Sequence, residues 1–262
     1  MMKIVIVGPT SLLAYSFIKM AISAGHQIIQ LGRNENTAIG KPVFYKADLT
    51  DAVKFSEIVA KIFSEQGRVD VVINFIGTHH KPMDFETDDL NENLETFRNV
   101  MDVNVNLAFL ITMGFAKEMI KHKHGHIIHL CSNASRLSLY GSYGYNASKH
   151  ALEGLIKTAA AQLAHYNIRV NGIAPGTAIS DLNRGMLIKD GELTNRALSI
   201  LAHTPTKKFC NADGVSQTIL ATCQPQRHLT GNVIFCDDGY NIEGHSWPDG
   251  NARLYNLKKE LD

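Results

Sequence analysis

The chain has 262 residues, enough for roughly three quarters of its unfolded surface to be buried in one core. Hydrophobic residues make up 45% and charged residues 19%, with 20 glycines and 7 prolines, which excludes a disordered, fibrous or low-complexity chain. Lys and Arg number 26 against 25 Asp and Glu, a formal charge of +1, and no basic block is present to neutralise a row of phosphates, so nucleic acid is disfavoured as a partner.

Lys3–Val7 is a short β-branched run bounded by Gly8-Pro9, and residues 11–24 carry apolar side chains at helical spacing before Gly25 stops them. The opening Met1-Met2-Lys3 and the apolar stretch behind it have the outline of a signal peptide. Gly8-Pro9-Thr10-Ser11 interrupts that outline, and the segment is needed as the first strand and helix of a longer α/β alternation. The alternation continues with strands near 27–31, 43–45, 70–75, 126–131, 168–173 and 233–236, and helices near 52–66, 90–122, 143–164 and 213–223. Strands that are almost continuously apolar and separated by helices predict a mostly parallel sheet of about seven strands, covered on both faces: one doubly wound α/β domain over 1–262. The exception is 177–209, irregular and mixed in polarity. An insertion at the carboxyl end of a parallel strand is placed as a substrate lid, the alternative being a surface excursion with a short helix of its own. Past the opening, no stretch approaches the roughly 20 apolar residues of a membrane span. Cys131, Cys210, Cys223 and Cys236 form no Cys-x-x-Cys pair, which fits a reduced, cytoplasmic chain.

The chemistry concentrates in Tyr145-Asn146-Ala147-Ser148-Lys149, at the start of a predicted helix. A Tyr and a Lys four apart share one helical face, so the ammonium acts directly on the phenol. A fixed cation there favours the phenolate and suits the phenol to proton transfer near neutral pH. Such a pair alone is common on solvated helix faces, and the surroundings give it weight. Ser132 ends an apolar strand thirteen residues earlier. Asn104 interrupts a long helical pattern where a buried amide could hold a water. Asn171-Gly172-Ile173-Ala174-Pro175-Gly176 closes the next strand with a turn at the same edge. The histidines are read as structural. His122 and His124 fall at a helix exit, while His126 and His129 are an odd number apart on a strand and point to opposite faces, so no metal site is expected. His79-His80-Lys81 is taken as loop surface, bordering the substrate mouth at most. Met83, Met101, Met113 and Met119 are taken as packing.

Together these residues resemble the common branch of the short-chain dehydrogenase/reductase family over nearly the whole chain. That resemblance implies a Rossmann-type domain with a catalytic tetrad at Asn104, Ser132, Tyr145 and Lys149. The first glycine of the family's cofactor turn matches Gly8, followed by Thr10, Ser11, Leu12 and Leu13. Its adenine-contacting Asp matches Asp48, beside Leu49. Its Asn-Asn-Ala-Gly element matches Asn74 and Gly77, its Pro-Gly turn Pro175-Gly176, and its nicotinamide-contacting threonine is replaced by Ser180. The tail from Leu229-Thr230-Gly231 to Asp238-Gly239 resembles the family's terminal stretch. Two departures stand out. Leu12 and Ala14 replace the second and third glycines of the cofactor turn, of which the second lets backbone approach a pyrophosphate. Phe75 and Ile76 are large where the family has small residues. Gly32 stands where an NAD-type acid usually falls and Arg33 follows it. A guanidinium matches a 2′-phosphate in charge and shape, which favours NADP(H), and Glu35 as a rival ribose ligand keeps NAD(H) possible.

The resemblance implies an oxidoreductase acting on a small-molecule carbonyl/secondary alcohol pair. In it Tyr145 is the general acid/base, Ser132 orients the oxygen, Lys149 holds the ribose and Asn104 holds a relay water. It also implies a homodimer or homotetramer through helices around 94–119 and 151–164. Two rivals keep the fold: a catalytically weak nucleotide-binding or regulatory protein, motivated by Leu12, and a sugar-nucleotide epimerase or dehydratase, which shares Tyr-x-x-x-Lys but usually carries a larger substrate domain. Neither nucleic acid nor a membrane is expected as a partner.

Overall fold

The computed structural model describes residues 1–37, 42–80, 82–84, 86, 89–180, 183–225 and 228–242. Its first half runs β1 (Lys3–Val7), α1 (Leu12–Ser23), β2 (Gln27–Gly32), β3 (Val43–Lys46), α2 (Ala52–Gln66), β4 (Val71–Asn74), α3 (Leu90–Met101) and α4 (Leu107–His122). The second half runs β5 (Gly125–Leu130), α5 (Tyr143–Leu163), β6 (Ile168–Pro175), α6 (Arg184–Leu187), β7 (Ile188–Lys189), β8 (Glu192–Leu193), α7 (Asn195–His203), α8 (Ala212–Cys223) and β9 (Val233–Cys236). Seven strands form one sheet in the order β3-β2-β1-β4-β5-β6-β9, and every pairing in it is parallel.

Successive residues of a strand face opposite sides, and β1 shows the consequence. Val5 and Val7 join a core with Phe55, Ile111, Phe115 and Ile156 from α2, α4 and α5, whereas Ile4 and Ile6 join one with Phe17, Ile18 and Ile219 from α1 and α8. Each fully buried aliphatic or aromatic side chain contributes about 1.5–3 kcal/mol. Helix starts are fixed by side-chain caps. Ser11 accepts from the Ala14 N–H, Asp51 from Val53 and Lys54, Asp89 from Asn91 and Glu92, and Asn211 from Asp213, each cap contributing about 1 kcal/mol.

Between α3 and α4 the chain makes one π-helical turn, Asp102–Asn106, with no break. The resulting helix, Leu90–His122, is long and apolar enough by length and composition to cross a membrane, which corrects the sequence reading that no stretch approaches a span. Ile111, Phe115 and Met119 of its second half are buried in the core of this domain. Met113, assigned to packing from the sequence, is instead 55% exposed, beside Phe109 at 51%.

Two histidines lie buried within the sheet. His129 Nδ1 meets the Asn74 amide at 3.2 Å and its Nε2 meets Thr112 Oγ1 at 2.9 Å. Burial, helped by the Lys149 charge, pushes its pKa down to about 3. His126 meets the Asn171 amide at 2.9 Å and is also held well below its ordinary value, first by burial and then by Arg169.

Strand order reverses direction between β1 and β4. At such a switch point the loops leaving the carboxyl ends diverge and open a crevice.

Candidate active site

The crevice is a cleft of about 1030 Å³ along the carboxyl edge of the sheet. At its centre Gly8 ends β1 with φ 78°, and a Cβ there would lie 2.8 Å from Ile76 Cγ1, so glycine alone fits between the two loops. The chain then enters α1, whose first turn carries no acidic residue. Its unpaired N–H groups make an anion-accepting end facing the cleft. Leu12, in the place of a glycine, is 44% exposed and lines the cleft. Ala14 is fully buried among the residues packing α1 on the sheet, where a methyl group fits. Phe75 and Ile76, the large residues of the neighbouring loop, both form cleft wall, and Phe75 packs its ring 6.0 Å from that of Phe17.

Arg33 and Asp48 also line the cleft. The Thr50 backbone N–H and hydroxyl both donate to Asp48 Oδ1, at 3.1 and 2.8 Å. These bonds hold the Asp48 carboxyl below its usual range, with Arg33 adding to the effect. Arg33 lines the cleft, whereas Glu35 lines a smaller pocket that adjoins it across Thr10, Ser11, Leu12 and Ser180.

Ser132, Tyr145 and Lys149 all line the cleft. Ser132 follows β5, extended at φ −165°, and its Oγ accepts from the Ala134 N–H at 3.2 Å. The first turns of α5 carry Tyr145 and Lys149 on one face, with Lys149 Nζ 5.6 Å from the centre of the Tyr145 ring. The Lys149 side chain is only 4% exposed, and among the described residues its one hydrogen bond is to the Leu130 carbonyl, 2.8 Å away. No carboxylate among them pairs with it. A buried ammonium with two of three donors to spare is costly unless a ligand supplies acceptors.

Two expected site residues stand behind the wall. The Asn74 amide accepts from the Ile76 N–H at 2.9 Å and meets His129, so it shapes the loop from within. The π-helical turn points Asn104 inward, where its Oδ1 accepts from the Thr78 N–H at 2.8 Å. Its Nδ2 donates to the Thr78 carbonyl and to Ser148 Oγ, both at 3.0 Å. Both Nδ2 donors and one lone pair of Oδ1 are thus engaged by protein partners. Asn104 anchors the loop after β4 to α5. The other predicted cofactor positions, Gly8, Thr10, Ser11, Leu12, Leu13, Arg33, Asp48, Leu49, Gly77, Pro175, Gly176 and Ser180, all line the cleft.

His79, read as loop surface, also lines the cleft, its ring centre 4.4 Å from that of Tyr145. Burial lowers its pKa first; a bond to the His80 carbonyl opposes that, and the His80 and Arg196 charges lower it further. Its neighbour Lys81 lies outside the described residues. The cleft is also lined by the 177–209 segment, of which 181–182 lie outside the described residues. The segment contributes Asn183, Met186, Leu187, Arg196, Ser199 and Ile200. Asn183 braces it, its Oδ1 accepting from the Ser180 N–H at 2.9 Å and its Nδ2 donating to the Ala178 carbonyl at 2.7 Å.

A cleft lined by an anion-accepting helix end, an arginine and a Ser-Tyr-Lys group is a dinucleotide-dependent redox site in outline. Residues 21–241 match the family model described as enoyl-(acyl carrier protein) reductase. A 2-dehydro-3-deoxy-D-gluconate 5-dehydrogenase of Bacillus subtilis is 31% identical over 200 residues, 75% of this chain and 74% of that protein. Short-chain dehydrogenase reductase 3a of Arabidopsis thaliana is 29% identical over 250 residues, 91% and 94% of the two chains. Among solved structures, a gluconate 5-dehydrogenase from Burkholderia cenocepacia superposes with a TM-score of 0.82 at 23% identity, covering 93% of this chain and 96% of that one. The chain belongs to the short-chain dehydrogenase/reductase family, and it is an NAD(P)-dependent oxidoreductase.

Proposed function

We propose that the enzyme interconverts a carbonyl compound and a secondary alcohol with NADP(H), with Tyr145 as general acid/base. The observation that carries this reading is the buried, carboxylate-free Lys149 ammonium set 5.6 Å from the Tyr145 ring, with Ser132 on the same cleft wall. The bound nicotinamide supplies or accepts the hydride. The remaining work falls to the chain. Tyr145 gives its phenolic proton to the carbonyl oxygen in reduction and takes it back in oxidation, a contribution typically worth 10²–10⁴-fold in rate. Lys149 stabilises the phenolate left behind and has donors to spare for ribose hydroxyls. Ser132 orients the reacting oxygen. Asn104 acts as a positioning residue that holds the loop bearing Gly77 against α5. The 177–209 segment closes over the substrate and excludes water.

NADP(H) is favoured because Arg33 reaches the cleft while Glu35 faces the pocket beside it, and a forked guanidinium suits a phosphate. The Burkholderia neighbour was solved with NADP and tartrate. Fluorescence titration with NADPH and NADH, followed by a panel of ketones and aldehydes, tests the reading. Tighter binding of NADPH with turnover of at least one panel member is expected. NADPH binding without oxidation across the panel would turn the conclusion toward a nucleotide-binding protein.

A further inference from the structure

The substrate end of the cleft carries a charge that no described residue answers. Arg196 lies in the first turn of α7, and Arg196, Ser199 and Ile200, three and four positions apart, share the helical face that lines the cleft. Arg196 is partly buried. Among the described residues it makes no ion pair. Its charge is felt at two cleft residues on different loops. It adds to the lowering of His79, which burial dominates, and it opposes the rise that burial imposes on Tyr240. Arg196 lines the same cleft as His79 of the loop after β4 and Tyr240 of the loop after β9. Among the described residues, the only acidic side chain on the cleft wall is Asp48.

A partly desolvated guanidinium without a counter-ion is unfavourable until a ligand supplies one. Its flat fork of donors matches a carboxylate with two parallel hydrogen bonds. Among the described residues Arg196 is the one cation that α7 and the loops after β4 and β9 set on this part of the cleft wall, beside an imidazole whose charged form burial disfavours, which suits a monoanion better than a doubly charged phosphate. Met186, Leu187, Leu139 and Ile200 give the same region apolar walls for a carbon skeleton. We propose that Arg196 anchors a carboxylate on the substrate, so that the cleft takes oxo acids and their hydroxy acids in preference to uncharged carbonyl compounds. This rests on the oxidoreductase reading above for the reaction, although the anchoring itself is a binding event with its own readout.

The test pairs oxo and hydroxy acids of graded chain length with their methyl esters, which keep the skeleton and remove the charge. Calorimetric binding to the NADP-loaded enzyme is measured beside KM and kcat, for wild type, Arg196→Gln and Arg196→Lys. For the best acid, wild type is expected to prefer acid over ester by roughly 10- to 100-fold in Kd and KM, the range of a charge-assisted bond. Arg196→Gln should abolish the preference by weakening the acid alone, and Arg196→Lys should restore part of it. Esters binding as well as acids, a preference that survives in Arg196→Gln, or no binding of either form at millimolar concentration would each overturn the proposal. Acid-selective binding without turnover would keep the anchor and remove the redox reading; ester turnover without acid selectivity would do the reverse.

Discussion

His129 makes acid sensitivity a built-in property of the sheet that can be isolated by one substitution. Its ring is fully enclosed between the Asn74 amide and the Thr112 hydroxyl, and its pKa falls from an ordinary 6.5 to about 3 because burial opposes the charged form. Between those values the unfolded chain binds a proton that the folded one refuses. The stabilising contribution of the neutral ring is therefore complete above pH 6.5 and is lost as pH falls from there toward the folded value, at about 1.4 kcal/mol per pH unit. From about pH 7.5 to about pH 4.5 the loss from this group alone is about 2.5 kcal/mol. His126 pulls in the same direction. Urea unfolding of wild type and His129→Gln at both pH values separates this term from the carboxylates, which titrate in both proteins. Glutamine keeps a donor and an acceptor for Asn74 and Thr112 without a titratable ring. The gap between the two proteins should change by about 2.5 kcal/mol in favour of the variant on acidification. A constant gap would refute the reasoning.

Gly8→Ala places a Cβ 2.8 Å from Ile76 Cγ1 in a backbone conformation of φ 78°, so a loss of about 2–4 kcal/mol in urea unfolding is expected. Ile76 must shift with it, and NADPH titration should show weaker binding; an unchanged unfolding midpoint would contradict the close approach. Arg33→Ala should weaken NADPH roughly 10- to 100-fold while leaving NADH unaffected, and equal losses for both coenzymes would remove the phosphate role. Leu12→Gly relieves the bulk beside the α1 end and should tighten NADPH binding severalfold, at a cost of up to about 1 kcal/mol in helix stability. Unchanged affinity would mean that Leu12 leaves the pyrophosphate path clear.

The sheet and its helices are legible in the sequence because their cues are local. Ile4 to Val7 are apolar without alternation because both faces of β1 are buried, and Ser11, Asp51, Asp89 and Asn211 mark helix starts by their chemistry. The β7–β8 hairpin, absent from the expected elements, has a local cue as well: Asp190-Gly191, with φ 53° and 84°, is a two-residue turn of the primed kind. The interruption at Asn104 is visible in the sequence, but the partners its amide finds are not, since Thr78 and Ser148 are 26 and 44 residues away. For His79, which the sequence sets at the border of the substrate mouth at most, the contact with Tyr145 escapes for the same reason. Its packing on Tyr145 exists only once the loop after β4 meets α5, and no spacing within either segment encodes it. Asn74 falls at the expected strand end but behind the cleft wall, because its amide is claimed by His129 and the Ile76 N–H.

The proton-donor assignment is tested most directly by Tyr145→Phe, assayed beside wild type for NADPH affinity and for the turnover rate on a shared carbonyl substrate. Removing one oxygen from a half-buried ring leaves the packing against His79 in place, so coenzyme affinity should hold within about twofold while the rate falls by at least about 100-fold. A variant that binds NADPH normally and keeps half or more of the wild-type rate would contradict the account.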